Sequence, residues 1–194
     1  VTVSGSISSI ERIWASRGKD NLSGRESADD RLYGWEGDDV IDGLSGNDNV
    51  SGGQGNDIVY GGLGDDVVGG GPGADFLYGD DGDDVVSGAE SGVGDLTDDV
   101  LWGGNGIDVF HFRANFGTDT IMDYEQDEQI HLTDYVGGFW RNDFSLDVIN
   151  INDVGDDIVV DFWLKRGGGT GGTIILKGAA AAGIVFDKSH FIID

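Results

Sequence analysis

Carboxylate side chains recur in the middle of this chain at a fixed interval of nine residues. From Gly34 to Ser87, six nine-residue units follow one another without insertion or deletion, and each has Asp at its sixth position. The first and fourth positions of every unit are Gly, which allows the positive φ angles and close backbone contacts of a tight turn. Each unit therefore offers one carboxylate and several main-chain carbonyls at the same place. Such hard oxygen ligands suit Ca²⁺, which binds about 6–8 oxygens at about 2.3–2.6 Å.

The repeat predicts a series of calcium sites. The expected side-chain ligands are the sixth-position aspartates of ten units, two of which precede and two of which follow the regular six: Asp20, Asp30, Asp39, Asp48, Asp57, Asp66, Asp75, Asp84, Asp99 and Asp108. The expected carbonyl ligands are first- and fourth-position glycines: Gly34, Gly37, Gly43, Gly46, Gly52, Gly55, Gly61, Gly64, Gly70, Gly73, Gly79, Gly82, Gly103 and Gly106. With one ion between stacked turns, ten units allow at most eight sites, and we expect about five to eight ions.

A turn and a short strand in each unit must position these oxygens. The eighth position is always aliphatic, as at Ile41, Val50 and Val59, and alternation along a strand directs it away from positions seven and nine. The simplest closure is a flattened coil that contains two units, so that units 18 residues apart stack on the same edge. Asp39 would then lie beside Asp57, with an ion between their turns.

The units match the pattern G-G-x-G-x-D-x-U-x of a calcium-binding nonapeptide repeat. On these residues the chain resembles a hemolysin-type calcium-binding (RTX) domain of a type I secreted bacterial protein. The resemblance implies an all-β fold, a right-handed parallel β-roll, that folds on Ca²⁺ outside the cell, with the type I secretion machinery as its partner during export. The second position is the loosest match, because it is Gly in three regular units and Trp35, Leu44 or Asp80 in the others.

The sequence divides into three segments. Residues 1–33 are predicted to form degenerate N-terminal coils, residues 34–111 the regular roll with an insertion at 88–97, and residues 112–194 a non-repetitive, β-rich cap. We expect strands of the cap to cover the open last coil, whose backbone groups would otherwise stay unpaired. The end of the chain, residues 189–194, resembles the short apolar end that carries the export signal in family members.

The chain carries a formal charge of −26, from 37 acidic residues against 11 Lys and Arg. Because such a chain repels itself, we expect folding and calcium binding to be one event. The charge disfavours nucleic acid and anionic membranes as partners. There is no Cys for disulfides, and no apolar run is long enough to span a membrane. The chain starts without Met or a signal-peptide pattern, and we expect a fragment of a longer secreted protein.

No set of residues in the sequence predicts catalysis. The three histidines are dispersed, Cys is absent, and no G-x-S-x-G surrounds a Ser. We therefore expect a non-enzymatic folding and secretion module of a larger extracellular protein. Two alternatives stay open. One is an adhesin or surface-layer segment, and the other is a module that binds an acidic polysaccharide, as in the repeat modules of mannuronan epimerases.

A polysaccharide site would use two sets of side chains. The basic set lies near the N-terminus: Arg12, Arg17, Lys19, Arg25 and Arg31. The aromatic set faces outward from alternate units together with aliphatic residues: Val40, Ile58, Tyr60, Phe76, Tyr78, Val100 and Trp102. The other interpretation of the basic set is charge relief near acidic turns. For the aromatic face we expect cover by residues 112–194, because a bare apolar surface of this size is unusual on a monomer.

Overall fold

The computed structural model describes residues 2–3, 12–89, 96–113, 116–133, 135–136, 139–140, 149–163, 170–184 and 191–193. Most of the insertion predicted at 88–97 lies outside these residues, and so do residues 189, 190 and 194 of the predicted export-signal end. The described residues contain no helix, and hence none that is long and apolar enough to cross a membrane.

Twenty short strands make up the fold of the described residues. Those of the repeats and the turns that follow them are β1 Thr2–Val3, β2 Arg12–Trp14, β3 Asn21–Ser23, β4 Arg31–Glu36, β5 Val40–Asp42, β6 Asn49–Gln54, β7 Ile58–Leu63, β8 Val67–Gly69, β9 Phe76–Asp81, β10 Val85–Ser87, β11 Val100–Asn105, β12 Val109–Arg113, β13 Thr118–Ile121 and β14 Gln129–Thr133. The rest are β15 Tyr135–Val136, β16 Phe139–Trp140, β17 Ile149–Val154, β18 Asp157–Trp163, β19 Thr170–Leu176 and β20 Phe191–Ile193.

Successive strands lie in alternate sheets. Strands β1 to β13 with odd numbers form the odd sheet, which continues into β19, β18 and β17, and strands β2 to β14 with even numbers form the even sheet, which ends with β20. Strands β15 and β16 pair only with each other. Within the repeats every pairing is parallel, and Val40 lies opposite Ile58 as Val50 lies opposite Val68. This arrangement confirms the predicted parallel β-roll with two units per coil.

The core is a single narrow row of side chains between the two sheets. The eighth-position residues from Leu22 to Phe110 are at most 1% exposed, as the strand alternation predicts. One buried aliphatic side chain per unit contributes about 1.5–3 kcal/mol. Because the core is so thin, the stability of the roll must depend heavily on the backbone hydrogen bonds and on what the turns bind.

The roll continues beyond the ten units expected from the sequence. Strands β13 and β14 pair in parallel with β11 and β12, and Ile121 and Ile130 occupy the buried eighth position. The predicted count of about ten was therefore too low. It followed the paired first- and fourth-position glycines, of which Gly103 and Gly106 are the last, whereas backbone pairing requires only the short strands themselves.

The C-terminal strands cover the edge of the roll and leave its outer face open. Strand β19 pairs with β13 and β20 with β14, which confirms that the cap closes the last coil. Strands β18 and β17 then extend the odd sheet in antiparallel fashion. Strands β17 to β20 thus lie beside the last coil and not across the aromatic face, where Phe76 is 45% exposed, so the expected cover is not found among the described residues. The physical reason is that an open strand edge offers unpaired backbone groups, which pairing satisfies.

Candidate metal sites

Glycine at the fourth position allows the turns to stack. Gly55 has a φ of 134°, and a Cβ there would lie 1.9 Å from the carbonyl oxygen of Gly37, two units earlier. The same close stacking recurs at the other fourth-position glycines of the roll, from Gly46 to Gly106. Any side chain at this position would push neighbouring turns apart.

The second position adopts a positive φ whether or not it is glycine. Gly53 has a φ of 104°, and Trp35, Leu44 and Asp80 have φ angles of 81°, 74° and 76°. A left-handed conformation costs a residue with a side chain about 1–2 kcal/mol. The three departures from the repeat pattern therefore retain the turn at the expense of local strain.

The sixth-position aspartates form two columns along the roll. We call Asp20, Asp39, Asp57, Asp75 and Asp99 the odd column, and Asp30, Asp48, Asp66, Asp84 and Asp108 the even column. In each column the backbone N–H of one Asp donates to Oδ1 of the Asp two units later, at N···O distances of 2.6–2.9 Å. All ten aspartates are at most 4% exposed. The structure thus brings together every pair that the repeat spacing predicted.

Several of these carboxylates have one oxygen to which no described residue donates. Oδ2 is buried and accepts no hydrogen bond from the described part of the chain in Asp39, Asp48, Asp57, Asp66, Asp84 and Asp108. Leaving a buried polar atom unsatisfied costs about 1–3 kcal/mol, and more when it is charged. These oxygens therefore require a proton or a cation.

At four of these aspartates, Asp39, Asp48, Asp66 and Asp84, a main-chain carbonyl of the next stacked turn lies beside the unit's first glycine. At Gly34 a Cβ would lie 2.5 Å from Oδ2 of Asp39 and 2.2 Å from the carbonyl oxygen of Gly52, in the next stacked turn. First-position glycines through Gly103 all lie against the Oδ2 of their own unit's Asp. The first-position glycines thus adjoin the carboxylates, whereas the fourth-position glycines stack on one another.

Burial is the main cause of unusual acidities in the columns. It raises the pKa of Asp48 and Asp57 to about 6, although the backbone N–H bonds lower the pKa in part. Burial and neighbouring aspartates of the same column raise the pKa of Asp66 and Asp84 to about 7. Ionised carboxylates stacked in this way need a positive partner, since each disfavours the charge of the next.

The donor set fits Ca²⁺. It consists of carboxylate and carbonyl oxygens, the hard ligands that this ion prefers. No group of three or more His, Cys, Asp and Glu side chains that could hold a metal occurs in the described ranges. Main-chain carbonyls would therefore have to supply much of a coordination shell of about 6–8 oxygens.

Two aspartates at the N-terminal end have protein donors. Oδ2 of Asp20 accepts hydrogen bonds from the backbone N–H and the hydroxyl of Ser16, both at 2.8 Å. Asp30 accepts the backbone N–H of Arg25 at Oδ2, at 2.7 Å, and the guanidinium Nε of Arg25 at Oδ1, at 2.8 Å. The Arg25 side chain is 8% exposed, which leaves it inaccessible to the external ligand for which the sequence made it a candidate.

Sequence reasoning missed two acids at the C-terminal end of the columns. Oδ1 of Asp119 accepts the backbone N–H of Asp99 at 2.9 Å, so Asp119 continues the odd column. Glu128 is buried in the corresponding even turn, and burial raises its pKa to about 9. The signal was an acid two residues before a buried aliphatic position, in Asp119-Thr120-Ile121 and Glu128-Gln129-Ile130.

A second, outer ladder at the fifth position was also missed. The backbone N–H of Asn56 donates to Oδ1 of Asp38 at 3.0 Å, and that of Asp83 donates to Oδ1 of Asp65 at 3.1 Å. These side chains are exposed, and their bonds run toward the earlier turn, opposite to those of the inner columns. Asp or Asn at most fifth positions was the sequence signal.

The candidate polysaccharide residues lie on opposite faces of the roll. Arg12 lies opposite Arg31 on the even sheet, where both are exposed. Tyr60, Tyr78 and Trp102 form a stack on the odd sheet, with ring centroids 4.8 and 4.4 Å apart. A single ligand of modest size cannot contact both sets.

Arg17 and Lys19 lie away from both surfaces. Both residues are exposed and lie between β2 and β3. The Arg17 guanidinium lies 3.5 Å from a carboxylate oxygen of Glu36 and 5.4 Å from the ring centroid of Trp35. These contacts support charge relief beside an acidic turn.

The outer face of the even sheet carries a groove with a volume of about 350 Å³. Its lining includes Tyr33, Asn49, Gly69, Ser87, His111 and Arg113. The outward seventh and ninth positions of β2, β4, β6, β8, β10, β12 and β14 include no acid, although the chain has 37 acidic residues. Nε of Arg113 is buried and has no hydrogen-bond partner among the described residues. This face therefore carries no carboxylate at its outward strand positions, and Arg12, Arg31 and Arg113 lie on it.

Comparison with known proteins shows which family these repeats belong to. The RTX calcium-binding nonapeptide repeat model matches residues 26–50, 33–68, 42–77, 60–91 and 93–122. No curated protein matches the chain. A subunit from the Azotobacter vinelandii mannuronan C5-epimerase, solved in solution, is 27% identical, with coverage of 72% of this chain and 78% of that one and a TM-score of 0.50.

Two more solved structures are similar at lower identity. Another subunit from the Azotobacter vinelandii mannuronan C5-epimerase is 18% identical, with coverage of 92% of both chains and a TM-score of 0.44. The extracellular lipase LipA from Serratia marcescens is 18% identical, with coverage of 93% of this chain, 39% of that one and a TM-score of 0.37. The nine-residue period, the stacked turns and the family match coincide over residues 26–122, and the chain belongs to the RTX calcium-binding nonapeptide repeat family.

Proposed function

We propose that this chain is a calcium-binding module whose roll folds when Ca²⁺ fills the two aspartate columns. The observation that carries the proposal is that no described residue donates to the buried Oδ2 atoms of six column aspartates: Asp39, Asp48, Asp57, Asp66, Asp84 and Asp108. Each lies against a first-position glycine, and at Gly34, Gly43, Gly61 and Gly79 a carbonyl of the next stacked turn lies beside the same glycine, so a hard cation would complete the arrangement. Bound Ca²⁺ supplies positive charge that links each turn to the turn two units away.

The position-six aspartates are the side chains that would hold the ions, together with carbonyls of the turns. The sites with the strongest support lie in the middle of each column, where both stacked carboxylates lack a donor for Oδ2, such as Asp39 with Asp57 and Asp48 with Asp66. About five to eight ions per chain remain our expectation. The ends have other partners, so their occupancy differs from that of the middle.

The physiological role that follows is folding controlled by location. At the low Ca²⁺ concentration of the cytosol, a chain of charge −26 would stay unfolded and suited to export by type I secretion. Extracellular modules bind Ca²⁺ with dissociation constants of about 10⁻⁴–10⁻³ M, so the external medium would fold it. We propose that the chain is a non-catalytic part of a larger secreted protein.

The test is far-UV circular dichroism against Ca²⁺ concentration, with ion stoichiometry measured by native mass spectrometry. We expect a cooperative gain of β signal and about five to eight bound ions. Mg²⁺ is the control, because it demands octahedral geometry and keeps its waters. Equal folding in chelator and in Ca²⁺, or equal folding by Mg²⁺, would contradict the proposal.

A second candidate function is binding of an anionic polysaccharide in the groove of the even sheet. The cross-strand pair Arg12 and Arg31 supports it, because like charges directly opposite one another are destabilising unless an anion lies near them. Arg12 and Arg31 lie outside the groove lining, on the same sheet face next to its Tyr33 end, and Arg113 and His111 line the opposite end with cationic or hydrogen-bonding groups. From β4 to β12 the groove crosses four strand spacings, about 19 Å, which accommodates several sugar rings.

Oligomannuronate is the first probe, since one similar structure is a subunit from a mannuronan C5-epimerase. Isothermal titration at saturating Ca²⁺ should show binding that weakens with salt, and a neutral glucan of equal length should not bind. Arg31→Ala and Arg113→Ala should each weaken binding about tenfold. Arg17→Ala removes the same charge away from the groove and should leave binding unchanged; equal loss in all three variants would indicate nonspecific attraction and refute the site.

A further inference from the structure

We propose that Arg25 takes the role of calcium at the N-terminal end of the even column: its guanidinium supplies the positive charge at Oδ1 of Asp30, and its backbone N–H occupies Oδ2, the oxygen that lacks a donor in later turns. This inference rests on the proposed calcium function. Arg25 is the second residue of the unit that begins at Gly24, and Asp30 supplies that unit's column carboxylate. Guanidinium and carboxylate are both buried, with side chains 8% and 1% exposed.

Arg25 engages both oxygens of Asp30. Its backbone N–H donates to Oδ2 at 2.7 Å, its Nε donates to Oδ1 at 2.8 Å, and its terminal Nη2 also donates to Oδ1. The same Nη2 reaches the carbonyl oxygen of Asp29 at 3.5 Å. A planar guanidinium that binds a carboxylate through more than one N–H is held in one geometry and stays charged at all working pH values.

The surrounding turn is one residue longer than the turns expected to bind calcium, but it brings the same groups together. A Cβ at Gly24 would lie 2.3 Å from the carbonyl oxygen of Gly43 and 3.0 Å from Oδ2 of Asp30. At Gly43 the corresponding neighbours are the carbonyl oxygen of Gly61 and Oδ2 of Asp48. The difference is the partner, because Oδ2 of Asp48 accepts no hydrogen bond from the described residues, whereas Oδ2 of Asp30 accepts the backbone N–H of Arg25 and Oδ1 of Asp30 accepts its guanidinium.

The second position explains why this substitution is confined to one turn. In the regular units this residue is Gly53, Gly62 or Gly71, or a side chain without positive charge, as at Trp35, Leu44 and Asp80. Only the unit at Gly24 has a cation there. A covalently attached cation needs no ion from solution, so the first turn of the even column is complete at any Ca²⁺ concentration, and the column binds one ion fewer than its aspartates would allow.

The test is the number of ions bound at saturating Ca²⁺, counted by native mass spectrometry. Arg25→Gln keeps a side chain of similar length but removes the charge, and we expect one additional ion per chain. Arg25→Lys keeps the charge and should bind the wild-type number. Arg17→Gln is the matched control, since Arg17 lies in an exposed ion pair with Glu36 and its loss should add no ion. An unchanged count in Arg25→Gln would overturn the proposal.

Asp30→Asn provides a second test should Arg25→Gln fail to fold. If Arg25 rather than calcium neutralises Asp30, this variant binds as many ions as the wild type. A count lowered by one would show that Asp30 ligates calcium and would overturn the proposal. Absence of calcium binding by the wild type would instead contradict the proposed function, so the two failures are distinguishable.

Discussion

Asp66 and Asp65 provide the sharpest test of the columns, because they are adjacent acids with opposite surroundings. Asp66 is 1% exposed, its Oδ1 accepts the backbone N–H of Asp48 at 2.6 Å, and its Oδ2 has no described donor. Asp65 is exposed, and its Oδ1 accepts the backbone N–H of Asp83 at 3.1 Å. Replacing either by Asn removes one charge and keeps an amide oxygen as acceptor. Only Asp66→Asn replaces an inward Oδ2.

The size of the effect follows from the stacking. Loss of a charged ligand interaction costs about 1.5–3 kcal/mol, and a carboxylate shared between two successive sites would lose about 3–6 kcal/mol. Each 1.4 kcal/mol is tenfold in the overall binding constant. Spread over about five coupled ions, Asp66→Asn should raise the Ca²⁺ midpoint about three- to sevenfold, and Asp65→Asn should change it less than twofold.

The assay is circular dichroism during Ca²⁺ titration, repeated in chelator. In chelator the direction should reverse for Asp66→Asn, because the ion-free roll buries a carboxyl whose pKa burial raises to about 7, and Asn carries no charge to bury. The variant should therefore be at least as folded as the wild type without Ca²⁺ and less folded at intermediate Ca²⁺. Equal midpoint shifts for Asp65→Asn and Asp66→Asn would refute the reasoning.

Three further predictions concern the turns and their protonation. Gly55→Ala should destabilise the calcium-bound roll by more than about 2 kcal/mol in thermal unfolding, because its Cβ would lie 1.9 Å from a carbonyl oxygen. Gly155→Ala is the control: its Cβ would meet nothing within 4 Å, so only the positive φ should cost stability, by about 1 kcal/mol. Leu44→Gly should relieve the strain of a φ of 74° and stabilise by up to about 1 kcal/mol in the same assay, and Leu63→Gly, from an exposed position without that strain, should not stabilise. In chelator, circular dichroism should show more folded chain as the pH falls from 8 to 4, because burial raises the pKa of Asp66 and Asp84 from 3.8 to about 7. Protonation of these carboxyls stabilises the folded state fully below pH 3.8, and the stabilisation is lost as the pH rises through 7. A gain of structure on raising the pH would contradict this prediction.

The middle of the fold is predictable from sequence because the residues that determine it recur at the same positions in six consecutive units. Glycine at fixed positions specifies the turn, one aliphatic residue per unit specifies the strand direction, and the period of nine specifies which turns stack. A chance resemblance to the repeat pattern in one unit would not recur in register in the other five. The pairing of Asp39 with Asp57, and of Val40 with Ile58, therefore required no knowledge beyond the repeat.

The two ends of the roll were less predictable because each of their distinctive contacts occurs in one turn only. Glu128 replaces Asp in the last even turn, and no repeated glycine marks it. The reach of Arg25 to Asp30 depends on a side-chain conformation that a pattern does not contain. The sequence also did not specify whether a cap strand would cover the aromatic face or pair with the open edge; among the described strands, β19 pairs with β13 at the edge.

Hydrogen-bond partners of the column aspartates differ between the middle of the roll and its N-terminal end. The unsatisfied Oδ2 atoms named here all lie between Asp39 and Asp108, whereas Asp20 and Asp30 have Ser16 and Arg25 as donors. An interior turn can share an ion with turns on both sides, but a terminal turn has a neighbour on one side only. A terminal site would therefore bind its ion weakly and would fray first. Supplying the first turns with protein donors removes that weakness and confines the dependence on calcium to the middle of the roll, where adjacent sites reinforce one another.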